Sequence, residues 1–507
     1  MAIAEYQFTT ADTLPSGNGE HDMHPKTVEL LTTATAELAP LLALSPELAS
    51  RIQFGWAITI HIIFAALSVG LAPFLVYFTV QEVRTGKRRY ARLRKFWTKI
   101  FAVGFIMGTV TGIPMGFMFG TNFGAFSTTA GELIGGPLSF EAKMAFFLEA
   151  VFLGVLLFGR ERVSDRFYAL SSVMVALGAW LSAFWILVVN SWMQTPRGHE
   201  VVMEDGIPIA QLTDPLAAFF NPRFPWMYVH MQNAAVISVT LLIVGLAAYF
   251  VWKNRDSKVW KTALRAGLVV LLLTSAFQAI HGDMYGRHVA ETQPHKFAAM
   301  EAHYETGQAD LHLIALPTEL ESLTDPRADN LYTISIPHLA SFLASGGDPT
   351  AEVTGLNDFE YESPPVAWVF WSFRIMVGLG FWFIALGAWG TYRAWRGGLA
   401  DDDRLLKALM LSSPLGFVAL ITGWYVAEIG RQPWIIQDVL TTAEGVSPPL
   451  SGTEATLTLV AFVIGYILLF GVFLYVFGRI VDEEAQRHEV DSEEDDHPDA
   501  PEVTADD

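Results

Sequence analysis

A carboxylate and a guanidinium, Glu428 and Arg431, stand between two tryptophans, Trp424 and Trp434, where a long apolar run gives way to a loop. Ionisable groups at membrane depth are costly, so by default they mark a functional site. Large flat aromatic neighbours suit a planar, redox-active ligand better than an ion pore. The plainer reading of Glu428 and Arg431 is an interfacial ion pair. Other apolar runs also carry polar groups: His61, Glu141 with Glu149, His230, and Arg374 with Met376. Eight residues of helix separate the two glutamates by about 12 Å in depth and roughly 80° around the axis. They would share a broad face at two levels, with Lys143 near enough to neutralise one of them.

These groups need elements to position them, and the composition says what those are. Of 507 residues, 52% are hydrophobic and 17% charged, against about 25% charged in soluble domains. Several apolar runs approach the roughly 20 residues that cross a bilayer as a helix. The expected fold is an all-α polytopic membrane protein with nine transmembrane helices in bundles. The spans are near 54–80, 98–118, 139–160, 167–190, 226–252, 261–282, 366–391, 405–428 and 454–478. Alternate links carry the basic residues, among them Arg84 and Lys87 in the first, Arg160 in the third, Lys253 in the fifth and Arg393 in the seventh. The link 119–138 has no Lys or Arg. By the positive-inside rule the N-terminus lies outside and the C-terminus in the cytoplasm.

The chain then divides into a polar N-terminal extension (1–50), helices 1–6 (51–282), an extracytoplasmic loop (283–365), helices 7–9 (366–480) and an acidic cytoplasmic tail (481–507). No basic n-region followed by an apolar core opens the chain, so no cleavable signal peptide is expected. The tail holds thirteen acidic residues within a net charge of −20. It reads as disordered and solvated, and such acidity fits a salt-loving host. The loop 283–365 is too long to be a mere connector, and its first third, to Glu301, has an ordered, amphipathic pattern.

By this topology His61, Glu141, His230, Met376 and Glu428 all fall in the outer half of the bilayer, beside the long loop. One such residue alone is unremarkable. A single intramembrane His can bridge two helices, a single Met more often packs than ligates, and Glu149 could be a packing carboxylic acid kept neutral by desolvation. Together they have the distribution of a cofactor cluster. The absence of Cys excludes disulfides, Cys-ligated zinc, iron–sulfur clusters and covalently attached c-type haem. Soft nitrogen and sulfur donors without thiolate point to haem iron. A His/Met pair gives a six-coordinate, electron-transferring b haem, whereas a His or carboxylate alone leaves a position open for oxygen. Arg374, two residues before Met376, could hold a haem propionate, because a guanidinium matches a carboxylate in bidentate fashion.

Five motifs carry a specific resemblance: Gly120-Thr121-Asn122; Pro137-Leu138-Ser139-Phe140-Glu141 with Met144 to Glu149; Asn190-Ser191-Trp192-Met193-Gln194-Thr195-Pro196; Phe373-Arg374-Ile375-Met376; and Gly430-Arg431-Gln432-Pro433-Trp434. Over about 52–480 the chain resembles subunit I of the cytochrome bd-type quinol oxidases, in their short-loop branch. The resemblance implies that His230 and Met376 ligate haem b558, and that His61 and Glu428 are proximal ligands of two high-spin haems. These are haem b595 and haem d, or a third haem b in its place, and which ligand serves which stays open. It implies that Glu141 lies in that pocket as distal ligand or proton donor, with Glu149 on the proton route or as a charge compensator. Trp424 would stand between haems. Lys296 and Glu301 match the positions that oxidise quinol, and Arg431, in the Gly430–Trp434 motif, is expected among the catalytic residues. Lys143 departs from the apolar residue expected near the glutamates, and the N-terminal arm is extra.

The expected partners are a second membrane subunit, quinol, O2 and lipid, with no nucleic acid. The expected place is a multi-pass protein of a prokaryotic cell membrane. The quinone, ubiquinone or menaquinone, stays open. Two other readings compete. A haem b subunit that passes electrons without reducing oxygen would need His230 and Met376 but not His61 with Glu428. A cation-coupled transporter would use Glu141, Lys143 and Glu149 but leaves Met376, His230 and the long outer loop unexplained, and neither broken helices nor repeated halves are evident from the sequence.

Overall fold

A computed structural model describes residues 43–204, 206–317 and 329–490. Most of the N-terminal extension, the loop tip 318–328 and the last part of the acidic tail lie outside the described residues. Sixteen α-helices are labelled here in chain order: α1 Pro46–Thr85, α2 Arg88–Thr121, α3 Gly124–Thr129, α4 Gly131–Phe140, α5 Phe146–Phe158, α6 Asp165–Gln194, α7 Pro215–Phe219, α8 Phe224–Lys253, α9 Lys258–Thr292, α10 Pro294–Glu301, α11 Leu339–Ser345, α12 Val366–Trp395, α13 Asp403–Ser412, α14 Leu415–Ile429, α15 Thr442–Gly445 and α16 Gly452–Val490.

Among the described residues, eight helices, two of them bent composites (Pro215–Lys253 and Asp403–Ile429), are long and apolar enough to cross a membrane. The remaining expected span is built differently. It runs as α4, a π-helical turn Glu141–Ala145, then α5. Such turns insert one residue into the helical ladder and are frequent at functional sites. The insertion changes the geometry read from spacing alone. With one residue absorbed by the turn, Glu141 and Glu149 stand about 20° apart around the axis rather than about 80°.

Helix limits follow local chemistry. Ser45 caps α1 by accepting from the Leu48 amide at 3.2 Å, with Pro46 at the first helical position and Gly86 closing the C-terminus at φ 63°. That is the capping asymmetry expected of Ser, Pro and Gly. Several helices overrun the spans read from hydropathy. Helix α9 continues to Thr292, and α16 enters the acidic segment as far as Val490. There Glu484 pairs with Arg92 at 2.5 Å and Glu483 with Lys99 at 3.2 Å, which ties the end of α16 to α2.

Helix α1 is central and packs against α2, α6, α8 and α16, while α8, α9, α12 and the α13–α14 pair form a second bundle beside it. The largest apolar cluster runs through both, with Phe64, Trp97, Phe101, Phe250 and Trp260 fully buried. The long loop folds as α10, a short strand pair Gly307–Gln308 with Glu352–Val353, and an antiparallel pair Leu311–Pro317 with Asn330–Ile336. Its own apolar cluster joins Phe297, Met300, Tyr304 and Leu356 to Val369, Phe370 and Val426 of the bundle. The loop is therefore seated on α12 and α14 by hydrophobic burial, not tethered only at its ends.

Candidate active site

Helix α10 is short, and its residues from His295 to Glu301 are all buried. Lys296 is 2% exposed. Its ammonium donates to the Gln293 side-chain oxygen at 2.8 Å and to that of Gln194, the last residue of α6. Gln293 donates in turn to Gln194 at 3.1 Å and to Gln437 at 3.2 Å. Gln194 uses its amide nitrogen on Glu428 Oε1 at 3.3 Å and on the Ala427 carbonyl at 3.2 Å. Asn190 donates to the same Glu428 oxygen at 2.9 Å, and Arg431 Nη2 donates to the other at 2.6 Å. One hydrogen-bonded chain thus runs from Lys296 to Glu428. A cavity of about 170 Å3 opens beside it, lined by His295, Lys296, Tyr361, Arg431, Gln437 and Asp438 among others.

The electrostatics of this corner are dominated by burial. Loss of water holds Lys296 well below the ordinary lysine range; Arg223 and Arg431 push it the same way and Glu428 opposes them. Burial lowers Arg431 too, against the pull of Glu428. His295 is lowered to about 4 by burial, which keeps the ring neutral at the cavity wall.

Lys296 and Glu301, paired in the sequence reading, face different partners. Five residues apart on a helix, they point about 140° away from each other. Glu301 does not line the cavity; its carboxylate accepts from Arg374 Nη2 at 2.5 Å. Burial raises Glu301 above the ordinary carboxylate range, with Arg374 pulling it back. Arg374 also donates through Nε to the His312 carbonyl at 2.5 Å and lies over the Phe370 and Phe373 rings. Most of its guanidinium is spent on fastening the loop to α12, which leaves little of it for the propionate expected from sequence.

The expected haem ligands can be tested against their surroundings. Thr111 Oγ1 donates to the Met107 carbonyl at 2.7 Å, so its single proton is used. Its 3.0 Å contact with His61 Nδ1 must then be accepted from the ring. That fixes the His61 tautomer with Nδ1 protonated and leaves the Nε2 lone pair free to ligate, the orienting device common around metal-bound histidines. His230 Nδ1 is buried with no partner. A Cβ at Gly112 would lie 2.9 Å from His61 Cε1, and one at Gly423 would lie 2.8 Å from Met376 Sδ. Glycine at these two positions leaves the His61 ring and the Met376 sulfur room against the facing helix. His230 on α8 and Met376 on α12 belong to one bundle, joined through α9 and α14. Glu428 is the crowded one. Three donors occupy its oxygens, which leaves about one of a carboxylate's four acceptor positions.

Trp424 packs with Trp180, Met231, Ile62 and Leu420, so it stands where α1, α6, α8 and α14 meet. Glu141 accepts from Ser182 at 2.8 Å, and Glu149 Oε1 is buried without a partner. The two glutamates lie within electrostatic range of each other. Gly178, one turn before Ser182, lets α6 approach closely: a Cβ there would lie 2.8 Å from the Glu149 amide nitrogen. Lys143 is exposed on the outer surface of the same segment. Among the described residues, no group of three or more His, Asp or Glu side chains could hold a bare metal ion. Donors dispersed in this way fit a metal that brings its own macrocycle better than a bare ion.

Sequence reasoning passed over Gln194, Gln293, Arg223, Thr111 and Ser182. Gln194 lay inside a quoted motif without a role. Neutral amides and hydroxyls give no charge or hydropathy signal, and a single Arg just before an apolar run gives no sign that it is buried.

Comparison with known proteins identifies the family. The family described as cytochrome bd terminal oxidase subunit I matches residues 49–485. The chain is 30% identical over 462 residues to "Cytochrome bd ubiquinol oxidase subunit 1" of Bacillus subtilis (strain 168), covering 89% of this chain and 95% of that one. It is 31% identical over 467 residues to "Cytochrome bd-II ubiquinol oxidase subunit 1" of Escherichia coli (strain K12), covering 80% and 90%. The solved structure of bd oxidase from Geobacillus thermodenitrificans superposes with a TM-score of 0.77 at 31% identity, covering 87% of this chain and 99% of that one. With the match spanning nearly all of both bundles and the loop between them, the chain belongs to the cytochrome bd terminal oxidase subunit I family.

Proposed function

We propose that this chain is the haem-bearing subunit of a terminal oxidase that takes electrons from quinol and reduces O2 to water. The overall change is two quinols and one O2 giving two quinones and two waters. Family membership supports the oxidase role. The observation that carries the site is the hydrogen-bonded path from the cavity-lining Lys296, through Gln194, to Glu428. His230 and Met376 would hold the low-spin haem b558. His61 and Glu428 would serve the high-spin pair, haem b595 with haem d or a third haem b. When bound, haem supplies one-electron transfer and, at an open iron position, the binding and reduction of oxygen.

The protein's own residues then have defined tasks. Lys296 is the member of the Lys296–Glu301 pair that meets the quinol, and its ammonium would steady negative charge on the quinol oxygen. Glu301 would take the proton, which requires its pair with Arg374 to open. Tyr361 and His295 supply flat walls suited to a planar headgroup. Glu149, buried with an unpartnered oxygen, would pass protons to Glu141 and Ser182. With the N-terminus outside and protons drawn from the cytoplasm, turnover would be electrogenic without pumping. A second membrane subunit would complete the enzyme in a prokaryotic cell membrane, and the acidic tail fits a salt-loving host.

The deciding experiment is a reduced-minus-oxidised optical spectrum of the purified oxidase with haem extraction. Three haems per chain, with quinol-dependent O2 uptake, are expected. A haem-free protein overturns the reading, and haem b without a chlorin band removes haem d alone.

A further inference from the structure

Three cations are buried together near the start of α8 and the end of α14. Arg223 is 1% exposed, Lys296 2% and Arg431 4%. Arg223 acts electrostatically on both of the others, and the carboxylate that acts on them is Glu428. Glu428 is already bonded to Arg431, Gln194 and Asn190. Arg223 has no share of it. Its Nε and Nη1 are buried without partners, and so is Arg431 Nη1. Its guanidinium lies 4.7 Å over the Tyr285 ring, which stands tilted beside the His230 ring with centroids 5.3 Å apart.

A buried guanidinium with two unused donors is costly, and an unpaired buried charge is costlier. Lys296 can relieve its charge by losing a proton, but arginine cannot. The cluster therefore lacks an anion, and planar N–H donors on arginine match the two oxygens of a carboxylate. Placement beside His230 says where such a group would come from. We propose that Arg223, with Arg431, binds a carboxylate on the edge of the haem held by His230. This rests on the haem reading above, and it gives the propionate a holder other than Arg374, which is committed to Glu301 and His312.

The test uses the intact two-subunit oxidase carrying Arg223→Gln or Arg223→Lys. Haem transfer to an excess of a haem-scavenging protein is followed, with the midpoint potential of the low-spin haem and the KM for quinol. Losing a charge-assisted pair should speed haem transfer about tenfold or more in Arg223→Gln. The potential should fall, because a nearby cation favours the reduced, less positive haem. Arg223→Lys should restore the potential while haem transfer stays fast, since the charge is kept and the planar clamp lost. Unchanged haem transfer and potential in both variants would overturn the proposal. So would a change in quinol KM alone, which would assign the anion to the substrate. If Arg223→Gln does not assemble, Arg223→Lys decides by haem transfer. A wild-type enzyme without haem would sink the oxidase reading instead.

Discussion

Two carboxylates on the helices, half-buried Glu428 and buried Glu149, are treated in opposite ways. Both oxygens of Glu428 are taken: Asn190, Gln194 and Arg431 donate to them, and Lys296 joins through Gln194. Glu149 has a buried oxygen with no partner, a π-helical turn just before it and another carboxylate nearby. A saturated network fixes geometry, as a site for binding and electron transfer needs. An unsatisfied carboxylate can change its protonation without breaking anything, as a proton carrier must. The corner at Glu428 is built to hold still, and the broken segment is built to exchange.

Removing Glu428 should have the largest effect. Glu428→Ala leaves Arg431 without its carboxylate, and breaking a buried pair costs about 3–5 kcal/mol. Loss of thermal stability and of high-spin haem is expected, read by thermal unfolding and haem extraction. If stability were unchanged, the network would not be holding the corner. Glu149→Gln should slow turnover by about 10²-fold, the usual scale for losing a positioned proton carrier, and abolish the membrane potential built per electron. Its quinol KM should stay put. Electrogenic turnover at the wild-type rate would remove Glu149 from the proton route.

Lys296→Met should raise the quinol KM by about tenfold, the scale of one hydrogen bond to a charged group. It should also change how stability depends on pH. The folded protein holds Lys296 below its ordinary value of 10.5. The unfolded chain therefore binds the extra proton more readily at alkaline pH. The burial penalty is full below the folded value and fades as pH rises towards 10.5. Wild type should gain stability relative to Lys296→Met over that alkaline window, and parallel stability curves would show that the lysine is not buried as described. The smallest effect is expected for Ser182→Ala. It removes one hydrogen bond to Glu141, worth about 1 kcal/mol, so turnover should fall several-fold with the pH profile displaced. An unmoved profile would separate Ser182 from proton transfer.

Much of this molecule is written locally. Hydropathy placed eight of the long helices, because an apolar run of membrane length is a property of contiguous residues. Capping was legible too, as at Ser45 and Pro46. The third span was not read fully. A π-helical turn is a shift in hydrogen-bond register, and nothing in the composition of Glu141–Ala145 announces it. Lys296 and Glu301 were legible as a pair of charges on one short helix, yet only the bundle shows that one meets the cavity and the other meets Arg374.

What the sequence determined by itself is the set of residue types and the membrane-crossing helices that carry them: histidines, a methionine and glutamates in apolar runs, no cysteine, and a family signature in five motifs. Tertiary structure decided the pairings. Asn190 and Glu428 are 238 positions apart, and Lys296 and Gln194 are 102 apart. Nothing in the spacing of such residues says that they touch. Burial in a low-dielectric interior makes each unpaired donor costly, so packing, not proximity in the chain, selects which carboxylate every cation finds. Arg223 is the clearest case: one Arg beside an apolar run in the sequence is, in the fold, a buried guanidinium with two unpartnered donors.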